Sequence, residues 1–154
     1  MNYALYLVLL INTVNSVLVN QNQQWRPIHH QDKFFHLQNS KSGKCLDVAL
    51  DQIYQDGGKV QQWDCHYHSD NQQWFFDHSR LVNKKSGKCL DAPWGWWWAG
   101  ARLSQWHCHD RVNQKWLDHH GGFKNDGSKK CLDVPNDQAF DNGVQLHQWH
   151  CLYE

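Results

Sequence analysis

Short apolar stretches rich in Val, Phe, Trp and Leu recur along the chain, each a few residues long and bounded by polar segments containing Gly, Asn, Asp and Ser. Apolar runs of that length between turn signals predict β-strands rather than helices. The supply of strong helix formers agrees with this, since Glu154 is the one glutamate and Met1 the one methionine. The longest apolar stretch stands at the start, where Met1 to Leu18 carries no charged side chain and is apolar from Ala4 to Ile11. Asn12, Thr13 and Asn15 interrupt it too early for a bilayer span, and Ser16 with Val14 two residues before it makes a signal-peptidase site. Residues 1–16 are therefore expected to be a secretory signal, and 17–154 one all-β domain with room for a modest core.

The strand pattern is written three times. Ser42-Gly43-Lys44-Cys45-Leu46-Asp47 returns as Ser86-Gly87-Lys88-Cys89-Leu90-Asp91 and, more loosely, as Ser128-Lys129-Lys130-Cys131-Leu132-Asp133. Each block is followed by a Trp-x-Cys, at Trp63–Cys65, Trp106–Cys108 and Trp149–Cys151. A turn glycine, Gly57, Gly100 or Gly143, stands six residues before each of those tryptophans. One structural unit repeated three times is the reading, with repeats at about 34–74, 75–116 and 117–154. Every cysteine belongs to a repeat, one pair in each, and only pairing within repeats obeys the threefold pattern. In an exported chain that predicts the disulfides Cys45–Cys65, Cys89–Cys108 and Cys131–Cys151, with buried free thiols as the alternative.

A third motif shows where the ring of repeats is cut. Asn71-Gln72-Gln73-Trp74 follows the first repeat and Asn113-Gln114-Lys115-Trp116 the second, but the chain ends soon after Cys151. The missing copy, Asn22-Gln23-Gln24-Trp25, lies before the first block, with His29 to Lys33 as an apparent insertion after it. Residues 22–25 are thus expected to complete the third repeat, with their backbone paired to the segment near Cys151. Trp25, Trp74 and Trp116 are expected to be core residues.

Cys-Leu-Asp, Gln-Trp-x-Cys and Asn-Gln-x-Trp in three copies, the second as Gln-x-Trp-x-Cys in the first repeat, resemble the ricin B-type (R-type) lectin family, known for its Gln-x-Trp signature. The resemblance covers about residues 22–154. It implies a β-trefoil of twelve strands, with a six-stranded barrel capped by three hairpins. It also implies sugar contacts at Asp47, Gln61, Trp63, Asn71 and Gln72 in the first repeat. In the second the corresponding residues are Asp91, Ser104, Trp106, Asn113 and Gln114. In the third they are Asp133, His147 and Trp149, with Asn22 and Gln23 supplied by the N-terminal segment. The residue types suit that chemistry: an aromatic ring lies against the apolar face of a pyranose, while a carboxylate and amides meet its hydroxyls. A trefoil scaffold that binds no sugar is the competing reading of the same motifs.

Trp94-Gly95-Trp96-Trp97-Trp98 has no counterpart in the other repeats and admits three readings: a local mini-core, an extended glycan subsite, or a membrane or partner contact. The twelve histidines, including His29-His30, His66-x-His68, His107-x-His109 and His119-His120, do not make the spaced ligand set of a structural zinc site and read as surface residues. No metal or other cofactor is expected. Net charge is zero and the basic residues are scattered, so no nucleic-acid footprint appears. Catalytic signatures are missing as well: no Gly-x-Ser-x-Gly, no His-Glu-x-x-His, and aspartates alone for any carboxylate pair. The resemblance implies a secreted, multivalent, non-enzymatic lectin for terminal galactose or N-acetylgalactosamine on glycoconjugates. The alternative is a structural or membrane-active trefoil using Trp94–Trp98.

Overall fold

The computed structural model describes residues 21–30, 32–94 and 97–152, so the expected signal segment lies outside the described residues. Twelve strands follow one another: β1 (Trp25–His29), β2 (Phe35–Asn39), β3 (Cys45–Val48), β4 (Gly58–Trp63), β5 (Trp74–Asp77), β6 (Arg80–Asn83), β7 (Cys89–Asp91), β8 (Ser104–Trp106), β9 (Trp116–His119), β10 (Gly122–Asn125), β11 (Cys131–Asp133) and β12 (His147–Trp149). The remaining regular elements are single 3₁₀ turns, as expected for a chain poor in helix formers.

Three antiparallel hairpins, β1–β2, β5–β6 and β9–β10, begin at the three motif tryptophans. The insertion seen in the sequence is the longer loop of the first hairpin, between His29 and Phe35. A β2–β5 pairing closes the ladder β2-β3-β4-β8-β7-β6-β5 on itself. That ring has seven strands rather than six, because the third lobe joins it through isolated bridges, Gln61 with Gln145 and Arg102 with His147. Backbone bonds Leu146 N to Val60 O (3.0 Å) and Leu103 N to Leu146 O (2.9 Å) zip that lobe against its two neighbours.

The core repeats with the sequence. Leu46, Leu90 and Leu132 of the Cys-Leu-Asp blocks are fully buried, as are Val60, Leu103 and Leu146. Trp74, Trp116 and Trp25 complete the apolar cluster. Each indole N–H donates to the carbonyl of one of those leucines: Trp74 to Leu46 (3.0 Å), Trp116 to Leu90 (3.1 Å) and Trp25 to Leu132 (3.3 Å). The N-terminal segment therefore takes the third place in the ring. Its main-chain partner differs from the expectation, however. β1 pairs with β2, and Trp25 N donates to Gly121 O (2.9 Å). Contact with the cysteine segment is made by a side chain: Gln23 Nε2 donates to His150 O (2.8 Å) and its Oε1 accepts from Leu152 N (3.0 Å). Gln72 and Gln114 do the same in the other lobes, so this is the threefold rule and not a peculiarity of the cut.

Disulfides link Cys45–Cys65, Cys89–Cys108 and Cys131–Cys151, with Cα separations of 5.0, 5.1 and 5.1 Å. The looser third block has a local cost. Gly43 and Gly87 sit at φ 70° and 69°, and Lys129 takes their place at 59°, where a side chain is disfavoured by about 1–2 kcal/mol. One histidine departs from the surface expectation. His36 is fully buried, with Nδ1 against His30 Nε2 and Nε2 near His66 O, and burial pushes its pKa down to about 4.

Candidate functional site

The sequence Cys-Leu-Asp makes a short strand, extended by Val48 in the first lobe, with no exposed face. Leucine faces the core and the cysteine is held in its disulfide, so the aspartate carboxylate is also taken out of water and requires donors. In the first lobe Asp47 receives three. Gln61 Nε2 donates to Oδ1, and Asn71 Nδ2 and Gln72 Nε2 both donate to Oδ2, each at 2.9 Å. Asn71 also donates to Val48 O (3.1 Å), which fixes its orientation. Burial raises the Asp47 pKa above the ordinary carboxylate range, and the bonds from Gln61, Gln72 and Asn71 oppose that rise.

In the second lobe Asn113 (3.0 Å) and Gln114 (2.9 Å) both donate to Asp91 Oδ2. Ser104 makes no hydrogen bond to Asp91, since its side chain is too short to reproduce the Gln61 bond. Burial, less fully opposed here, pushes the Asp91 pKa up to about 6. His109 Nε2 stands 3.7 Å from Asp91 Oδ2, and burial lowers the His109 pKa.

In the third lobe Asn22 Nδ2 donates to Asp133 Oδ1 (2.7 Å), and His147 Nε2 makes a close contact with Oδ2. The His147 ring stacks on Trp149, with centroids 5.3 Å apart. The cut ring thus still delivers the amide of Asn22 to the aspartate from the opposite end of the chain. Gln23, in contrast, spends its amide on His150 and Leu152 and does not reach Asp133.

Above each aspartate lies a cleft with a tryptophan on its wall. The volumes are about 470, 570 and 860 Å³ for the first, second and third lobes. Trp63, Trp106 and Trp149 are 39%, 39% and 41% exposed, which leaves part of each ring open to a ligand. Each ring packs against a glycine of a neighbouring lobe. A Cβ would lie 3.2 Å from the Trp63 ring at Gly143, 3.6 Å from Trp106 at Gly57 and 3.4 Å from Trp149 at Gly100. All three glycines have φ between 80° and 90°, so glycine is required there both for the turn and for the ring.

Two further sets of polar residues were not singled out in the sequence. Asn39, Asn83 and Asn125 are buried, and each stands six residues before the first cysteine of its block. Their amides donate to the carbonyls of Asn22, Asn71 and Asn113 (3.0, 2.9 and 2.9 Å), tying the site asparagines to the block that carries the aspartate. The glutamine directly before the tryptophan of each Trp-x-Cys is the second set. Gln62 donates to Ala139 O and Asp141 O, Gln105 to Ile53 O, and Gln148 to Trp98 O, so each lobe is stapled to a loop of another. Their signal was the constant spacing. The side chains lining the outer cleft carried no such signal: Asp51 and Lys59 in the first lobe, Arg111 in the second, Asp137 and Arg102 in the third.

The described tryptophans of the loop are not buried as a mini-core would require: Trp94, Trp97 and Trp98 are 56%, 44% and 55% exposed. Trp94 lines the second cleft, and Trp97 leans on Gly127.

Comparison with known proteins gives a consistent result. A model of ricin-type β-trefoil lectin domain-like sequences matches residues 21–95 and 70–149. A designed threefold-symmetric protein, ThreeFoil, is 31% identical with a TM-score of 0.68, over 77% of this chain and 90% of that one. An exo-β-1,3-galactanase from Clostridium thermocellum is 28% identical with a TM-score of 0.65, over 80% of this chain but only 28% of the enzyme. The C-half of an earthworm R-type lectin, solved in complex with GalNAc, has the same fold at 19% identity, with a TM-score of 0.63 over 77% of this chain and 89% of that one. No curated protein sequence matches significantly. With a family match running from the ring-closing Gln21 to Trp149, and with the trefoil built on the three repeated motifs, the chain belongs to the ricin-type β-trefoil lectin domain family.

Proposed function

We propose that the protein is a secreted, non-enzymatic lectin that binds terminal galactose or N-acetylgalactosamine on glycoconjugates through up to three clefts. The observation that carries this reading is the arrangement in the first lobe. Asp47 is fixed by three amides beneath the half-exposed Trp63, so the carboxylate presents its remaining acceptor capacity to a ligand resting on the ring. Adjacent sugar hydroxyls would donate to Asp47, the C–H face would lie on Trp63, and Asn71 would both orient the carboxylate and touch a hydroxyl. Asp91 with Trp106, and Asp133 with Trp149, would repeat the arrangement in the other lobes. Preference for galactose-type sugars is supported by the family, in which the aspartate reads the axial O4 together with O3, and by the GalNAc complex of the earthworm lectin. Secretion is supported by the three disulfides and the apolar segment before Ser16.

A glycan array probed with the full chain, followed by calorimetric titration of the strongest ligand, tests the reading. Binding to galactose-terminated glycans that is weakened by Trp63→Ala, through loss of the first-lobe site, is the expected result, and an array without a saccharide signal overturns it. A second reading is favoured by one observation, the exposure of Trp94, Trp97 and Trp98. A membrane-active protein would release dye from liposomes that carry no glycan, whereas a lectin would not.

A further inference from the structure

The three clefts share an aspartate, a tryptophan and an asparagine, but their outer walls differ in charge. The first has both Asp51 and Lys59, and the third both Asp137 and Arg102, so each adds one anion and one cation to its floor aspartate. In the second, the segment that supplies Asp51 and Asp137 elsewhere is replaced by the tryptophan loop, and Trp94 forms the wall. Arg111 joins it there, at the position held by Ser69 in the first cleft, with its guanidinium carbon 5.3 Å from the Trp94 ring centroid.

The charges around Arg111 are already committed. Asp110, its neighbour in sequence, pairs with Arg80 (3.2 Å), and Asp56 pairs with Lys88 (2.7 Å) and His107 (2.9 Å). Asp91 is bonded by Asn113 and Gln114 at the floor. Among the described residues Arg111 forms no ion pair. A guanidinium drawn over an indole by cation–π attraction still has donors to offer a ligand, and its planar fork matches the geometry of a carboxylate or sulfate.

We propose that the second lobe is specific for acidic saccharides: a galactose-type residue held by Asp91 and Trp106 that carries, or is linked to, an anionic group received by Arg111 against Trp94. This rests on the lectin reading above and adds a ligand class to one of its three sites. The first and third clefts, with compensated walls, take the neutral sugar. The shared chemistry is an oxyanion, and a sulfate ester or the carboxylate of an acidic sugar could provide it.

The test uses the full chain carrying Trp63→Ala and Trp149→Ala, which removes two platforms and leaves the second lobe. Calorimetric titration with lactose, sulfated lactose and sialyllactose at low salt should show one or both acidic ligands bound about fivefold more tightly than lactose, the size of a partly exposed charge pair. The advantage should shrink as salt is raised. Adding Arg111→Gln should bring acidic ligands down to the affinity of lactose, and Arg111→Glu should place them below it. Whichever of the two acidic ligands gains identifies the source of the oxyanion. Equal binding of all three ligands, or an acidic advantage that survives Arg111→Gln, overturns the proposal. So does a second lobe that binds nothing while a chain retaining only Trp63 still binds lactose, a result that leaves the lectin reading standing. Loss of saccharide binding in the unsubstituted chain would instead overturn the lectin reading itself.

Discussion

Replacing Trp25 by alanine tests whether the two ends of the chain hold the ring closed. Trp25 is 3% exposed, and its indole N–H is the donor for Leu132 O. Truncating a buried tryptophan of this kind costs about 3–5 kcal/mol, which includes the cavity left behind. For a folded region of roughly 130 residues the entropy of unfolding is about 0.28 kcal/mol per degree, so the midpoint should fall by about 11–18 °C. Trp25→Phe keeps most of the apolar volume but leaves the Leu132 carbonyl without its donor, and should cost about 1–3 kcal/mol. Thermal unfolding followed by circular dichroism, with the disulfides intact, is a sufficient assay. Trp74→Ala and Trp116→Ala serve as internal standards, because their indoles make the equivalent bonds to Leu46 and Leu90. If the N-terminal segment closes the ring, all three variants fall together. If Trp25→Ala melts within about 2 °C of the parent while the other two lose more than about 10 °C, the N-terminal segment is an appendage and the argument is refuted. Deleting residues 17–26 should go further: it removes Asn22, Gln23 and Trp25 together and strips Asn39 and Gln38 of β2 of their β1 partners, and the partly bared edge should aggregate.

Asp47→Asn should weaken galactose binding at the first lobe by about 1.5–3 kcal/mol in calorimetric titration, with the melting curve still cooperative. Gly143→Ala should lower both stability, by about 1–2 kcal/mol, and first-lobe affinity, since the added Cβ meets Trp63 at 3.2 Å from a φ of +80°. Lys129→Gly should stabilise the protein by about 0.5–1 kcal/mol in denaturant titration, the relief of a left-handed lysine less the added freedom of the unfolded chain. Asp91 gives a pH signature of fixed sign. Its folded pKa of about 6 lies above the ordinary value of 3.8, so the folded state holds the proton more tightly. Its contribution to stability is full below about pH 4 and is lost as pH rises through about 6, a term of about 3 kcal/mol that Asp91→Asn should remove from the stability–pH curve. Sugar binding at the second lobe should run the opposite way, weakening as pH falls below about 6, because the carboxylate is the form that accepts the hydroxyl bonds.

Much of this architecture could be read from the residues alone, because it is carried by spacing. The threefold period and the cysteine pairing follow from motifs that recur at nearly constant intervals, and the trefoil from the resemblance of those motifs to the ricin B-type family. The position of the missing strand followed from a motif count that came out one short after Cys151 and one over at Asn22. The core tryptophans were legible for the same reason, since a symmetric fold places equivalent apolar residues at equivalent depths. What lay beyond reach was every relation between lobes. That Gln62, Gln105 and Gln148 staple loops of other lobes, and that Trp63 rests on Gly143, depends on which repeat ends up beside which, and no interval within a repeat encodes that. The backbone partner of β1 was misjudged on the same account, because the symmetric role of Asn22–Trp25 is carried by side-chain amides that motif order cannot distinguish from a strand pairing. The fate of the Trp94–Trp98 loop was likewise settled by tertiary structure. Four tryptophans in a row of five are apolar enough for a core, yet Trp94, Trp97 and Trp98 stay about half exposed, and Trp94 becomes a wall of the second cleft with Arg111 against it. Local chemistry and period were written along the chain; the pairing of surfaces from distant segments existed only once the ring had closed.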